Sequence, residues 1–271
     1  MTDLGIESFN RAGCREVGDK PFFQVANLNL SFGGVKAVRD VSFSVAQGEV
    51  CAIIGPNGAG KTSVFNLITR VFDATGGSVE FGGNELLRVA RHDIVRHGIA
   101  RTFQNIELFE GASVLDNLML GRHVAHHSNL FAQLFNLSAV RKEEFETREH
   151  VEDVIGLLDL APYRHRLVAG LPYGVRKVVE LGRALVSGPS LLLLDEPASG
   201  LNPEETRELA GWLEDLRGEL SLTVIMVEHD MSLVSAVADR VIVMEQGMVL
   251  MTGTPSEVQS DPRVIAAYLG I

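Results

Sequence analysis

The chain has 271 residues, long for one domain and short for three, and 46% of them are hydrophobic, enough for a sizeable core. Lys and Arg total 24 against 35 Asp and Glu, a formal net charge of −11 at pH 7. That acidic balance argues against nonspecific nucleic-acid binding, which needs a basic face, and against a polybasic anchor on lipid.

The two cysteines, Cys14 and Cys51, are too few for a disulfide scaffold and have no metal-ligand spacing, so they read as free thiols. Asp3, Glu7, Arg11 and Glu16 leave no apolar signal-peptide region near the start, and residues 1–21 read as a flexible arm. No apolar run reaches the roughly 18 residues of a membrane span. Any membrane contact is therefore expected to run through a partner.

In chain order, residues 22–30 alternate loosely, as an edge strand would. Residues 41–45 and 50–54 read as strands, the second apolar enough to be buried. Residues 55–60 break the pattern, 62–70 read as a helix, and 78–81 form a short strand closed by Gly82 and Gly83. From about 105 to 171 the strand signals fade. Leu115, Leu118 and Leu120 fall in one candidate helix, and Val151, Val154, Ile155, Leu157 and Leu158 repeat at helical spacing within 141–160. An α/β pattern then returns: a helix over 175–186, a four-leucine strand over 191–194, and a helix over 203–216 with Asn202 as N-cap and Pro203 in its first position. A strand at 222–227, a helix at 231–236 and a strand at 241–244 follow. Alternating units of this kind imply a mainly parallel sheet.

Gly55-Pro56-Asn57-Gly58-Ala59-Gly60-Lys61-Thr62 fits the phosphate-binding pattern G-x-x-x-x-G-K-[ST], between a buried-strand pattern and a helix. Glycines let backbone N–H groups turn inward around phosphates, and the helix N-terminus adds partial positive charge. Lys61 would reach the β- and γ-phosphates, and the Thr62 hydroxyl would ligate Mg²⁺. Leu191-Leu192-Leu193-Leu194-Asp195-Glu196-Pro197 ends a strand in two carboxylates. Asp195 would hold Mg²⁺, and Glu196 would orient or deprotonate an attacking water. His229, in Val227-Glu228-His229-Asp230, follows another apolar strand. Gln104, after Arg101-Thr102-Phe103, is an uncharged ligand for Mg²⁺ or water. Each of these two is ordinary by itself. Leu171-Pro172-Tyr173-Gly174-Val175 is a glycine turn opening a helix, which is an anion site or an ordinary junction.

Taken in order, these motifs resemble the ATPase subunit of an ABC transporter over about residues 22–271. The resemblance implies a P-loop NTPase fold of ABC type: a mainly parallel core sheet, an antiparallel β subdomain and a helical subdomain near 105–171. Phe32-Gly33-Gly34, Gly98-Ile99-Ala100-Arg101-Thr102-Phe103-Gln104, Gly200-Leu201-Asn202-Pro203-Glu204-Glu205, Glu228-His229-Asp230-Met231 and the tail from Asp261 to Gly270 look like the subfamily that serves uptake of branched-chain and other hydrophobic amino acids. On this resemblance Phe32 stacks on adenine and residues 55–63, ending at Ser63, hold the phosphates of ATP. Thr62, Gln104 and Asp195 hold Mg²⁺, Gln104 also communicates with the membrane subunit, Glu196 is the catalytic base and His229 contacts the γ-phosphate. Leu171, Pro172, Tyr173, Gly174 and Val175 form the signature loop that caps ATP bound to a second subunit. The apolar residues after Gln104, Phe109 among them, face a short helix of the membrane partner.

The implied assembly is peripheral on the cytoplasmic face of the membrane. It has two integral membrane permease subunits, a second paralogous ATPase and, indirectly, an extracytoplasmic solute-binding protein. Three positions depart from the family pattern: Pro172 stands where serine is usual, Val175 where glutamine is usual, and Asn202 where aspartate is common across the wider family, although asparagine suits the subfamily. The rival readings are an export ATPase, such as one moving lipopolysaccharide, and a soluble ABC ATPase acting on ribosomes or DNA. One phosphate loop, no sustained heptads and the −11 charge count against the second.

Overall fold

The computed structural model describes residues 21–102, 104, 106–125 and 137–269. The expected N-terminal arm lies outside these residues apart from Pro21, as does Cys14. The chain opens with β1 (Phe23–Phe32), β2 (Val35–Val45), β3 (Val50–Ile54) and α1 (Lys61–Ile68). Strands β4 (Gly76–Phe81) and β5 (Asn84–Glu85) lead through short 3-10 turns to β6 (Ile99–Arg101). Helices α2 (Val114–Ala125), α3 (Leu137–Leu157) and α4 (Tyr173–Leu185) precede β7 (Leu191–Asp195), α5 (Pro203–Leu220), β8 (Thr223–Val227) and α6 (Met231–Val237). The chain continues through β9 (Arg240–Glu245), β10 (Met248–Gly253), α7 (Pro255–Ser260) and α8 (Pro262–Leu269).

The strands form two sheets, one of six in the order β10-β9-β3-β8-β7-β6 and one of four in the order β2-β1-β4-β5. In the larger sheet β9, β3, β8, β7 and β6 run parallel, and β10 pairs antiparallel on the β9 edge. Alternation across each parallel strand feeds two cores. Val50, Ala52 and Ile54 of β3 join Leu192, Leu194, Val224 and Met226 on one face, against α4, α5, α6 and the α2–α3 pair. Cys51 and Ile53 join Leu193, Ile225 and Val227 on the other, against α1 and the antiparallel sheet. Burial on both faces explains why these strands read as unbroken apolar runs. Burial also pushes the Cys51 thiol up to about 12, as suits a packing residue.

The structure corrects the expectation of an edge strand at 22–30. β1 pairs with both β2 and β4, and its loose alternation comes from register shifts between Val25 and Leu28, where Asn27 takes φ 48°. β2 begins at Val35, closing a hairpin over Gly33-Gly34. Between 106 and 113 the backbone is not helical, and α2 starts only at Val114. The N-cap expected at Asn202 is present: its side chain accepts the N–H groups of Glu204 and Glu205, and Glu205 answers on the Asn202 N–H. Among the described residues no helix is long and apolar enough to cross a membrane.

Candidate functional site

Scattered along the chain, the groups singled out above converge because four parallel strands end on one edge. β3 runs into the loop at 55–60, β8 into Glu228 and His229, β7 into Glu196, and β6 towards Gln104. The sheet order β3-β8-β7-β6 makes these ends neighbours. The carboxyl edge of an open parallel sheet is where such folds bind ligands.

The loop depends on glycine at its entrance. Gly55 has φ 148°, and a Cβ there would lie 2.1 Å from the Met244 carbonyl oxygen of β9. The Ala59 N–H donates to the Pro56 carbonyl at 3.1 Å, and the Ala59 carbonyl accepts the Gly247 N–H at 3.0 Å, fastening the loop to the β9–β10 turn. Asn57 and Gly58 are exposed at the tip, with Pro56 and Gly60 half-buried. Gly60 is the N-cap of α1 and no side chain caps that end, so the positive pole of the helix faces the loop. Thr62 is exposed and Ser63 half-buried in its first turn.

Lys61 is only 8% exposed, and its Nζ donates to the carbonyls of Gly55 at 2.7 Å and Pro56 at 3.1 Å. Burial lowers its pKa from the ordinary lysine value, while the charges of Glu196 and Asp195 pull the other way. Lys61 therefore lies within electrostatic reach of Asp195, at the end of β7, and of Glu196, just after it.

Asp195 is 3% exposed and paired with Arg101, Nη2 to Oδ2, at 2.6 Å. Arg101 also donates to Asn66 Oδ1 of α1 at 2.8 Å and to Thr69 Oγ1, at that helix's C-cap, at 3.0 Å, and lies 5.5 Å from the centre of the Phe65 ring. Among the described residues the second oxygen, Asp195 Oδ1, is buried without a hydrogen-bond partner. Next in sequence, Glu196 takes φ 50°, uncommon outside glycine, and donates its N–H to the Val227 carbonyl at 2.9 Å. Its Oε2 accepts Gln104 Nε2 at 2.9 Å and lies 3.9 Å from His229 Nδ1. Gln104 is exposed and the His229 side chain is 59% exposed, so both can turn towards a ligand.

The remaining candidates stand apart. Pro172 is the exposed N-cap of α4, and no side chain caps that helix. Leu171 is buried, Val175 half-buried, and Tyr173 donates its hydroxyl to the Ser199 carbonyl at 3.4 Å. Gly174 packs on Glu205, whose Oε1 would sit 2.2 Å from a Cβ. Among the described residues no hydrogen bond joins 171–175 to the phosphate loop. Phe32 is 49% exposed and meets Phe72 edge-to-face at 5.1 Å. Sequence reasoning assigned no role to Arg101 or Glu228. An arginine ending a short apolar strand and an acid before His229 were the available signals.

A family model described as ABC transporter matches residues 38–199, and one described as Branched-chain amino acid ATP-binding cassette transporter matches residues 248–271. The chain is 39% identical to the high-affinity branched-chain amino acid transport ATP-binding protein BraF of Pseudomonas aeruginosa, over 93% of this chain and 98% of that protein. It is 37% identical to LivG of Escherichia coli, which carries the same description, over the same shares of the two chains. Among solved structures, the ADP conformation of MJ1267, an ATP-binding cassette of an ABC transporter, superposes with a TM-score of 0.82 at 30% identity, covering 93% of this chain and all of that one. A nucleotide-free ATP-binding cassette from an ABC transporter superposes at 0.81. With the phosphate-loop pattern, the carboxylates after β7 and His229 gathered on one sheet edge, and with these matches in sequence and fold, the chain belongs to the ATP-hydrolysing ATP-binding subunits of ABC transporters.

Proposed function

We propose that this chain powers an importer of branched-chain or other hydrophobic amino acids, held on the cytoplasmic face of the membrane by two integral permease subunits. The observation that carries the reading is the match of residues 248–271 to the branched-chain amino acid cassette model, joined to 39% identity with BraF across nearly both full lengths. In the site, residues 55–63 cradle the phosphates of ATP and the exposed ring of Phe32 offers a face for adenine. Lys61 neutralises the β- and γ-phosphates, and His229 contacts the γ-phosphate. Glu196, oriented by Gln104, accepts the proton of the attacking water.

The residues fit Mg²⁺. Asp195 Oδ1 is a buried acceptor with no hydrogen-bond partner among the described residues, and Thr62 stands exposed at the start of α1. Among the described residues no cluster of three or more His, Cys, Asp or Glu is arranged to hold a metal. Mg²⁺ keeps waters and is held by one or two protein groups together with phosphates. When bound, Mg²⁺ neutralises charge on the phosphates.

Phe109 is 59% exposed, beside a groove shared with Val95, Leu120 and Ala184. Buried Asn117 holds the Phe109 backbone from both sides, accepting its N–H at 2.8 Å and donating to its carbonyl at 3.1 Å. A backbone held this firmly under an exposed ring suits docking of a permease helix. The test is reconstitution with the candidate permeases, binding protein and paralogous ATPase in vesicles, measuring ATP-dependent leucine uptake. Uptake is expected, and Phe109→Ala should lower it several-fold while basal ATPase changes little. Absence of uptake of any hydrophobic amino acid sinks the substrate reading, and equal loss of uptake and basal ATPase sinks the docking role.

The working ATPase is proposed to be a heterodimer with the paralogue. Pro172 offers neither hydroxyl nor N–H where the family's serine meets the partner's γ-phosphate, so a homodimer would carry the defect in both sites. A hydrogen bond to a charged group is worth about 1.5–3 kcal/mol. Pro172→Ser should therefore raise ATP affinity at the partner's site roughly tenfold or more. Serine is also a good N-cap, worth about 1 kcal/mol of helix stability. The thermal midpoint must be followed alongside, to separate better capping from better ATP contact. If the chain alone turns over as fast as the mixed complex and Pro172→Ser changes nothing, the asymmetry is absent.

A further inference from the structure

Glu228 is fully buried, and its carboxylate lies between the loop that follows β7 and the loop that follows β8. Its Oε1 accepts the Ala198 N–H at 2.7 Å. Its Oε2 accepts the N–H groups of His229 at 2.8 Å and Asp230 at 3.0 Å. The Glu228 N–H donates to the Ile53 carbonyl at 3.2 Å, near the end of β3 and two residues before Gly55. Among the described residues no lysine or arginine pairs with it. A buried carboxylate is tolerated when its oxygens are satisfied, and here backbone N–H groups from two separate loops do so.

The position of those loops matters because each carries a group of the site. Ala198 follows Glu196 by two residues, with Pro197 between them restricting the backbone. A tie at Ala198 therefore constrains Glu196, whose φ of 50° needs support from its surroundings. On the other side, Oε2 holds the peptide of His229 itself. The imidazole Nδ1 then lies 3.8 Å from Glu228 Oε2 and 3.9 Å from Glu196 Oε2.

We propose that Glu228 is a positioning residue for ATP hydrolysis: it clamps the Glu196 loop to the His229 loop and so sets their separation. The inference rests on the roles proposed for Glu196 and His229. Glu228→Gln keeps the side-chain length but presents one acceptor oxygen where two are used, so one loop loses its tie. Glu228→Asp keeps the charge but is a methylene short of spanning both loops. Each variant is expected to lower kcat roughly tenfold or more, with KM and the dissociation constant for ATP within about twofold of the parent. Neither should add its full loss to that of His229→Ala, since groups acting as one unit are not additive. A kcat within about twofold of the parent overturns the proposal. So does a loss of ATP binding in step with kcat, or full additivity with His229→Ala. Glu196→Gln is assayed in parallel. If it turns over like the parent, the assigned roles fail. If it is inactive while the Glu228 variants match the parent, the clamp alone fails.

Discussion

Glu196→Gln should abolish steady-state ATP hydrolysis while leaving MgATP binding intact. The substitution is nearly isosteric and retains an oxygen that can accept Gln104 Nε2, the 2.9 Å contact of the parent. The backbone φ of 50° does not depend on the carboxylate, so the loop keeps its shape. What is lost is the basic oxygen proposed to take a proton from water as the γ-phosphate bond breaks. A positioned general base contributes about 10²–10⁴-fold to rate. Turnover should fall by that factor, with the ATP dissociation constant changed by less than about threefold. Phosphate release and nucleotide titration on the purified variant measure the two quantities. Near-parental turnover would remove Glu196 from the role assigned to it.

Lys61→Ala should fail earlier, at binding. Lys61 is the buried cation of the loop, and the charges of Glu196 and Asp195 act on it. Without it the phosphates of ATP would approach Glu196, and Asp195 with its Arg101 partner, with one cation fewer to offset the repulsion. Hydrogen bonds to charged groups contribute about 1.5–3 kcal/mol each, so affinity should fall at least tenfold and more where both phosphates are contacted. Lys61→Arg should rescue little, because a planar fork does not fill the place of a compact ammonium that donates to the Gly55 and Pro56 carbonyls from a buried residue. The variant also loses both of those bonds, so its thermal midpoint is followed with the titration. An ATP affinity equal to the parent's would overturn the role given to Lys61.

Short-range rules made much of this protein readable from its residues. β3 occupies Val50–Ile54, as its apolar run predicts, because a strand buried on both faces has no polar position to blur its limits. Glycine spacing placed the phosphate loop, and Asn202-Pro203 placed the start of α5, since capping and φ restriction act within a few residues. The same rules were available but unread at Thr254-Pro255, where a capping box with Glu257 opens α7. Strand β10 and helices α7 and α8 are too short to show a sustained period.

Tertiary structure alone decided which strand ends meet. Gln104, Glu196 and His229 are far apart in the chain, and only the order β3-β8-β7-β6 sets them side by side, because strand pairing depends on long-range fit rather than local pattern. It also made β1 an interior strand, through pairing on both of its edges. The support under the site was equally hidden. Arg101 gains its meaning from Asp195, 94 positions later, and Glu228 from Ala198, 30 positions earlier, since a buried charge is explained only by the partners that the fold brings to it. The sequence by itself determined the chemistry on offer, and the fold determined which groups are close enough to use it.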